Sequence, residues 1–184
     1  MTNIKEVTIE EAKAVATGAI KKIDPINLEH ILNEPAIEFQ IKMMVKYAKQ
    51  EKYDMVEYTL KDIEKIASEY NARRITPSNV KVGDGVTMHL HSDAHAGTVI
   101  KVTKTTVTVQ RDQATLDPNF KPNHVAGGFA GHATNNDEQT YTYERNEKGD
   151  TITFRWSKKF NQYMHTQSGR KLSKGRKEFY DYNF

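Results

Sequence analysis

The chain has 184 residues, 37% of them hydrophobic and 28% charged, so it can form one medium or two small domains and is too apolar to be wholly disordered. It holds no cysteine, which excludes disulfides, thiolate metal sites and cysteine nucleophiles. The formal net charge is only +3 but is unevenly placed: residues 1–79 hold 12 Lys and Arg against 13 Asp and Glu, whereas residues 80–184 hold 15 against 11.

The first 72 residues have the spacing of amphipathic helices. Thr8 begins a capping box at the start of the first predicted helix, and Asp24 precedes a proline that ends it and begins a short second one. Two longer helices follow, with Asp54 as the predicted N-cap of the last. Because such helices need a partner surface, we predict a helical bundle or hairpin over residues 1–76, with a role in assembly or interaction.

The period of the hydrophobic pattern changes to two after residues 72–79, which predicts a β-rich ligand-binding domain over residues 77–184. The stretch 113–138 is predicted to be a long loop; it exceeds the usual loop length, so it is functional, ordered by a partner, or both. The fold class is therefore α+β, a helical part followed by an antiparallel β-barrel or sandwich. The predicted strands are VTMHLH, GTVIKV, TTVTVQRD and a hairpin of QTYTYER with DTITFRW, which turns at NEKG with Gly149 available for positive φ.

Residues 80–112 carry the pattern V-x-V-G-D-G-V, then G-T-V-I-K-V, then T-V-T-V-Q. This pattern resembles the start of a small SH3-like barrel of the KOW or Tudor type, and the resemblance implies that Gly83 and Asp84 shape the turn that enters the barrel. The stretches HAGTVIKV, GGFAGH, TYTYER and EFYDYNF also resemble a protein family of tailed phages and prophages of Gram-positive hosts. That second resemblance implies the cytoplasm of a bacterial host and a host defence protein as a possible partner.

Cytoplasmic localisation is also favoured by the residues themselves. No apolar run approaches the ~20 residues of a membrane span, and the N-terminal residues lack the basic start and apolar stretch of a secretion signal. We therefore expect no membrane partner.

Three histidines lie close together in the opening of the β-rich part. His89 and His91 are two residues apart on a predicted strand, so their side chains should leave the same face, as a metal site requires. Asp93, His95 or the more distant His132 would complete the site. The other interpretation is a partly exposed strand and loop whose imidazoles meet phosphate, carbonyls or water. Apart from this possible metal, we expect no cofactor.

The strongest chemical signal is a basic and aromatic stretch near the C-terminus. Residues 151–177 hold eight Lys and Arg and no acidic residue, which favours an anionic partner, although a solvated basic loop has the same composition. Cations bind phosphates and exposed rings stack on bases. The candidate ligand-binding residues are Arg155, Lys158, Lys159, Tyr163, Arg170, Lys171, Lys174, Arg176 and His132. Gly127 and Gly128 are candidates as well, because glycines let backbone amides approach an anion closely.

Four functions are compatible with these residues. The first is a non-enzymatic protein that binds nucleic acid or a nucleotide through the basic and aromatic face, with the helices forming a homo-oligomer. The second is a phage counter-defence protein that sequesters a signalling nucleotide or blocks a host defence protein. The third is a metal-dependent enzyme that uses the histidines at His89 and His91, and the fourth is a structural protein of the virion. We expect the first, which assumes least.

Overall fold

A computed structural model describes residues 7–127 and 131–183. The fold class is α+β, as predicted, and the chain divides into two compact units, Met1–Arg73 and Arg74–Phe184. The sequence pattern places this division slightly later, after residue 76. No helix in the described ranges has the length and apolar character needed to cross a membrane.

Four helices form the first unit, α1 Ile9–Ala19, α2 Pro25–Leu32, α3 Pro35–Lys49 and α4 Tyr53–Arg73. The predicted capping box is present, because the Glu11 amide donates to the Thr8 hydroxyl at 3.1 Å and the Thr8 amide donates to the Glu11 carboxylate at 3.0 Å. The predicted N-cap of α4 was wrong. The amides of Met55 and Val56 already donate to the Lys52 carbonyl, so Asp54 lies inside the first turn. The apolar faces form one core, whose most deeply buried members are Ala16, Ile31, Ile37, Ile41, Ile63 and Ala67.

The second unit is a closed antiparallel barrel with the strand order β1-β10-β9-β8-β3-β2. Two short two-stranded sheets stand beside it, β4 with β7 and β5 with β6. Inward-facing residues such as Val99 and Phe154 fill the barrel, while the alternate residues face outward. The strands are β1 Gly85–His89, β2 Ala94–Val102, β3 Thr106–Arg111, β4 Gln113–Leu116, β5 His124–Val125, β6 His132–Ala133, β7 Tyr141–Glu144, β8 Thr151–Ser157, β9 Gln162–Met164 and β10 Lys171–Lys174.

The predicted hairpin of TYTYER with DTITFRW is wrong. β7 pairs with β4 and β8 pairs with β3, so β7 and β8 lie end to end along the bent path of β3 and β4. Gly149 does not have a positive φ either. A Cβ at Gly149 would collide with the carbonyl oxygen of Arg111, so the turn needs glycine for close approach to that bend. The predicted long loop, 113–138, contains β4, β5, β6 and a 3-10 turn at Asn136–Glu138.

The C-terminal segment after β10 runs against the barrel and the stretch between β4 and β7. Phe179 forms an isolated antiparallel bridge with Ala94, with amide-to-carbonyl distances of 2.9 and 3.0 Å. Further along, the Asn183 side chain accepts from the Ala133 amide at 2.7 Å, and Asp181 accepts from the Asn136 side chain at 2.7 Å. The segment therefore contacts both β6 and the 3-10 turn that precedes β7.

Candidate phosphate-binding cleft

A polar cleft opens at one end of the barrel, between the β1–β2 loop and the β9–β10 loop. The two loops meet because β1 and β10 are antiparallel neighbours with His89 opposite Lys171. The cleft has a volume of about 740 Å³, within the range of small-ligand sites. Its lining residues are His89, Leu90, His91, Ser92, Asp93, Ser168, Gly169, Arg170 and Lys171.

The β1–β2 loop begins earlier than the sequence pattern predicts. β1 ends at His89, and the Leu90 amide donates to the Asp93 carbonyl at 2.9 Å, which turns the chain back into β2. His91 therefore lies in the loop, and the prediction that His89 and His91 share one face of a strand is wrong. Both residues nevertheless line the cleft.

The β9–β10 loop is held by its own hydrogen bonds. The Gly169 amide donates to the His165 carbonyl and the His165 amide to the Arg170 carbonyl, each at 2.9 Å. The His165 ring Nδ1 and the Ser168 hydroxyl are 2.8 Å apart. Gly169 has a φ of +66°, a conformation that favours glycine. This turn holds Arg170 and Lys171 at the edge of the cleft.

His89 supplies a neutral hydrogen-bonding group to the cleft floor. Its Nε2 is 2.8 Å from the Ser173 hydroxyl. Burial lowers the pKa of His89, and the positive charges of Lys171 and Lys177 lower it further. Because the ordinary value is already below neutrality, this lowering of the pKa favours the neutral form of His89 at pH 7.

The positive charge of the cleft comes from Arg170 and Lys171. Among the residues that the structure describes, neither has a carboxylate within ion-pair distance. Asp93 is the one acidic lining residue, and its Oδ1 accepts from the Asp181 amide at 2.9 Å. Among the described residues, the two cations therefore line the cleft without an ion-pair partner, and they outnumber the one carboxylate of the lining.

The three histidines proposed as metal ligands are not brought together. In the described ranges, 7–127 and 131–183, no three His, Asp or Glu side chains are placed to hold a metal ion. His89 bonds to Ser173, while the His95 Nδ1 lies 3.0 Å from the Glu178 carboxylate, away from the cleft lining. His132, the further candidate ligand, is on β6 opposite Val125.

The remaining predicted ligand residues are dispersed. Lys158 and Lys159 are exposed in the β8–β9 turn, and the Lys159 ammonium is 5.3 Å from the centre of the Phe160 ring. Gly127 and His132 are exposed but do not line the cleft, and Gly128 lies outside the described residues. Of the others, Arg155 and Lys174 are exposed on strands β8 and β10, whereas Arg176 is paired with Asp112 at 2.6 Å.

Tyr163, predicted to stack on a ligand, is wholly buried in the barrel core. It is 0% exposed and packs edge-to-face on Trp156, with ring centroids 5.1 Å apart. Its polar sequence neighbours, Asn161 and Gln162, suggest a surface position, but both are buried as well. Tyr163 therefore cannot contact a ligand in this structure.

We expect Tyr163→Phe to keep or raise the stability of the barrel, by about 1 kcal/mol, because the buried hydroxyl has no hydrogen-bond partner among the described atoms. Chemical unfolding followed by the fluorescence of Trp156, the only tryptophan, measures this. Destabilisation of about 1 kcal/mol or more would contradict it. Ligand binding should not change.

The sequence pattern missed Ser92, Ser168 and Gly169 as parts of the site. The dipeptide Ser168-Gly169 is a turn signal, and it marks the loop that precedes the two free cations. The sequence pattern could not predict that the β1–β2 loop lies opposite this loop, because the two sides of the cleft are more than seventy positions apart in the chain.

Comparison of the chain with protein-family models, curated proteins and solved structures finds no match in any of the three. The chemistry of the cleft is therefore the basis for assigning a function.

Proposed function

We propose that this protein is a binding protein whose barrel takes a phosphate-bearing anion, a nucleic acid or a nucleotide, in the cleft between the β1–β2 and β9–β10 loops. The observation that carries the proposal is the pair of cations, Arg170 and Lys171, which have no carboxylate within ion-pair distance among the described residues and outnumber Asp93 in the cleft lining. An anion that enters the cleft supplies the missing counter-charge.

The groups around the cations suit phosphate in particular. The planar guanidinium of Arg170 can donate two parallel hydrogen bonds to one phosphate, and Lys171 adds a point charge. Ser92 brings a hydroxyl donor, and Gly169 leaves the backbone open to close approach. With Arg170 and Lys171 against Asp93, the lining carries more positive than negative charge.

The resemblance of residues 80–112 to SH3-like barrels supports a binding role, and these residues form β1, β2 and β3 of the six-stranded barrel. Sequestration of a signalling nucleotide by a phage counter-defence protein would use the same cleft and the same cations. The two roles differ in the ligand, a polynucleotide in the first and a small nucleotide in the second.

We expect the double variant Arg170→Gln, Lys171→Gln to bind a single-stranded oligonucleotide or a nucleotide at least about a hundredfold more weakly, since it loses two charge-assisted hydrogen bonds that contribute about 1.5–3 kcal/mol each. The slope of log affinity against log salt should fall by about 0.7 for each phosphate of a single strand that the variant no longer neutralises. Calorimetric titration at several salt concentrations measures both quantities.

The matched control is Arg145→Gln, Lys148→Gln, which removes the same two charges. Both residues are exposed in the turn between β7 and β8 and do not line the cleft. The control should keep the affinity of the natural chain. Equal affinities of the cleft variant and the natural chain would refute the proposal, and so would a ligand that is recovered chemically converted after the protein is denatured.

A further inference from the structure

A row of outward-facing side chains leads from the cleft across the barrel wall. In the strand register, Lys171 on β10 is opposite Met164 on β9, Met164 is opposite Arg155 on β8, and Arg155 is opposite Thr106 on β3. Directly opposed residues of antiparallel strands have their side chains on the same face of the sheet. His89 continues the row on β1.

The burial of the neighbouring residues shows that this face is the outer one. Leu172, Tyr163 and Phe154 are buried in the barrel core and stand next to Lys171, Met164 and Arg155 in the chain. Because side chains alternate along a strand, the residues of the row face outward. Lys171 and Arg155 are exposed, and Met164 is half-buried between them.

The spacing of the row matches a chain of phosphates. Lys171 and Arg155 are two strands apart, which is about 10 Å at the usual separation of neighbouring strands. A stacked strand of nucleic acid advances about 3.4 Å per nucleotide, so about three nucleotides cover this distance. No member of the row is acidic, and no carboxylate among the described residues lies within ion-pair distance of Arg155.

We infer that the ligand is a single-stranded nucleic acid, held at one phosphate by Arg170 and Lys171 in the cleft and at a second by Arg155 on the outer wall of β8. This inference rests on the proposed function of the cleft and adds the class of ligand and its path. A mononucleotide occupies the cleft alone and does not reach Arg155. A cleft of about 740 Å³ has room for a phosphate with its sugar and base but not for stacked base pairs.

The barrel wall around the two phosphate positions suits a single strand that is bound without strong base preference. Thr108 and Thr153 are outward neighbours of the row and bond to each other at 3.1 Å, which gives a surface of hydroxyls. Met164 offers a polarisable apolar contact for a sugar or base. Tyr163 and Phe154 are buried in the barrel core, and Trp156 packs on Tyr163 and is only partly exposed. Affinity should therefore depend on the backbone and on salt more than on sequence.

The test is the affinity of the full chain for a length series of thymidine ligands: a mononucleotide, a trinucleotide, a hexanucleotide, and the hexanucleotide annealed to its complement. We expect affinity to rise about tenfold from the mononucleotide to the trinucleotide as the second phosphate position is filled. Arg155→Gln should remove most of that rise and leave the affinity for the mononucleotide unchanged. Arg145→Gln, an exposed arginine outside the row, is the control and should change neither.

Equal affinity for the mononucleotide and the trinucleotide would overturn the inference, as would an Arg155→Gln variant that keeps the full rise. Tighter binding of the duplex than of the single strand would also overturn it. Each of these results leaves the cleft proposal standing as long as Arg170→Gln, Lys171→Gln weakens binding. The cleft proposal itself fails if the double variant Arg170→Gln, Lys171→Gln binds every ligand as tightly as the natural chain does.

Discussion

Replacing Arg176 by methionine is expected to lower the free energy of unfolding of the barrel by about 2–4 kcal/mol and to leave ligand affinity unchanged. Asp112 lies at the bend between β3 and β4 with its side chain only 1% exposed. The Arg176 Nε donates to its Oδ2 at 2.6 Å, and the Thr98 hydroxyl donates to its Oδ1 at 2.7 Å. Without Arg176, a buried carboxylate loses its only cationic partner among the described residues. The expected loss of stability is smaller than for a fully buried ion pair, because the Arg176 side chain is 35% exposed.

Unfolding followed by Trp156 fluorescence measures the effect in the barrel unit alone, because that residue is the only tryptophan and packs on the barrel core. Lys174→Met is the matched control; Lys174 is an exposed cation on β10 and should change stability by less than about 0.5 kcal/mol. The double variant Asp112→Asn, Arg176→Met should recover part of the loss, since it no longer buries an unpaired charge. An Arg176→Met variant that keeps its stability but binds ligand more weakly would contradict this prediction, because Arg176 would then belong to the binding site.

Replacing Glu178 by alanine is expected to destabilise the barrel by about 2–4 kcal/mol. Its side chain is 9% exposed and accepts from Arg111 at 2.7 Å and from the Ala96 amide at 2.8 Å, with the His95 Nδ1 at 3.0 Å. The change leaves a guanidinium and a backbone amide of β2 without their acceptor. It also removes one of the side-chain contacts that hold the segment after β10 against β2, next to the bridge between Phe179 and Ala94. Glu144→Ala, an exposed acid on β7, is the control and should be nearly neutral.

The contribution of Glu178 to the free energy of unfolding should fall as the pH falls. Burial alone would raise the pKa of Glu178, but the hydrogen bonds from His95 and Ala96 and the charge of Arg111 together hold it below its ordinary value of 4.5. The unfolded chain therefore binds the proton more tightly than the folded one, so the stabilisation is present above about 4.5 and is lost as pH falls through the lowered pKa. The natural chain should lose stability faster than Glu178→Gln over this acid range. Parallel losses in the two proteins would contradict the assignment.

These two ion-pair networks explain why the basic cluster predicted from the sequence does not act as one surface. Arg176 is directed at a buried carboxylate, whereas Arg170 and Lys171, six and five positions earlier, face the cleft. Composition counts all three as equivalent cations. Only the fold shows that Asp112 and Glu178, far apart in the chain, hold the segment after β10 against the barrel.

Local patterns predicted the helices and most barrel strands because their causes are local. The capping box at Thr8 and the alternation in GTVIKV depend on neighbours within a few residues. The pairing of β7 was missed because the NEKG turn is a plausible hairpin by itself, and the bend at Asp112 that places β7 against β4 is a tertiary feature. The sequence pattern named the histidines and the cations of the cleft but assigned them to separate sites. Only the register of β1 with β10 brings His89 next to Lys171.

The location of the proposed anion-binding site is tested most directly by a nuclear magnetic resonance titration of the isotope-labelled full chain with a thymidine hexanucleotide. We predict that the amide signals of residues 89–93 and 168–171 shift most, that Arg155 shifts with them, and that the β7–β8 turn at residues 145–150 stays unchanged. Shifts confined to the helical unit or to the β7–β8 turn, with residues 168–171 unmoved, would contradict a ligand site at the Arg170 and Lys171 cleft.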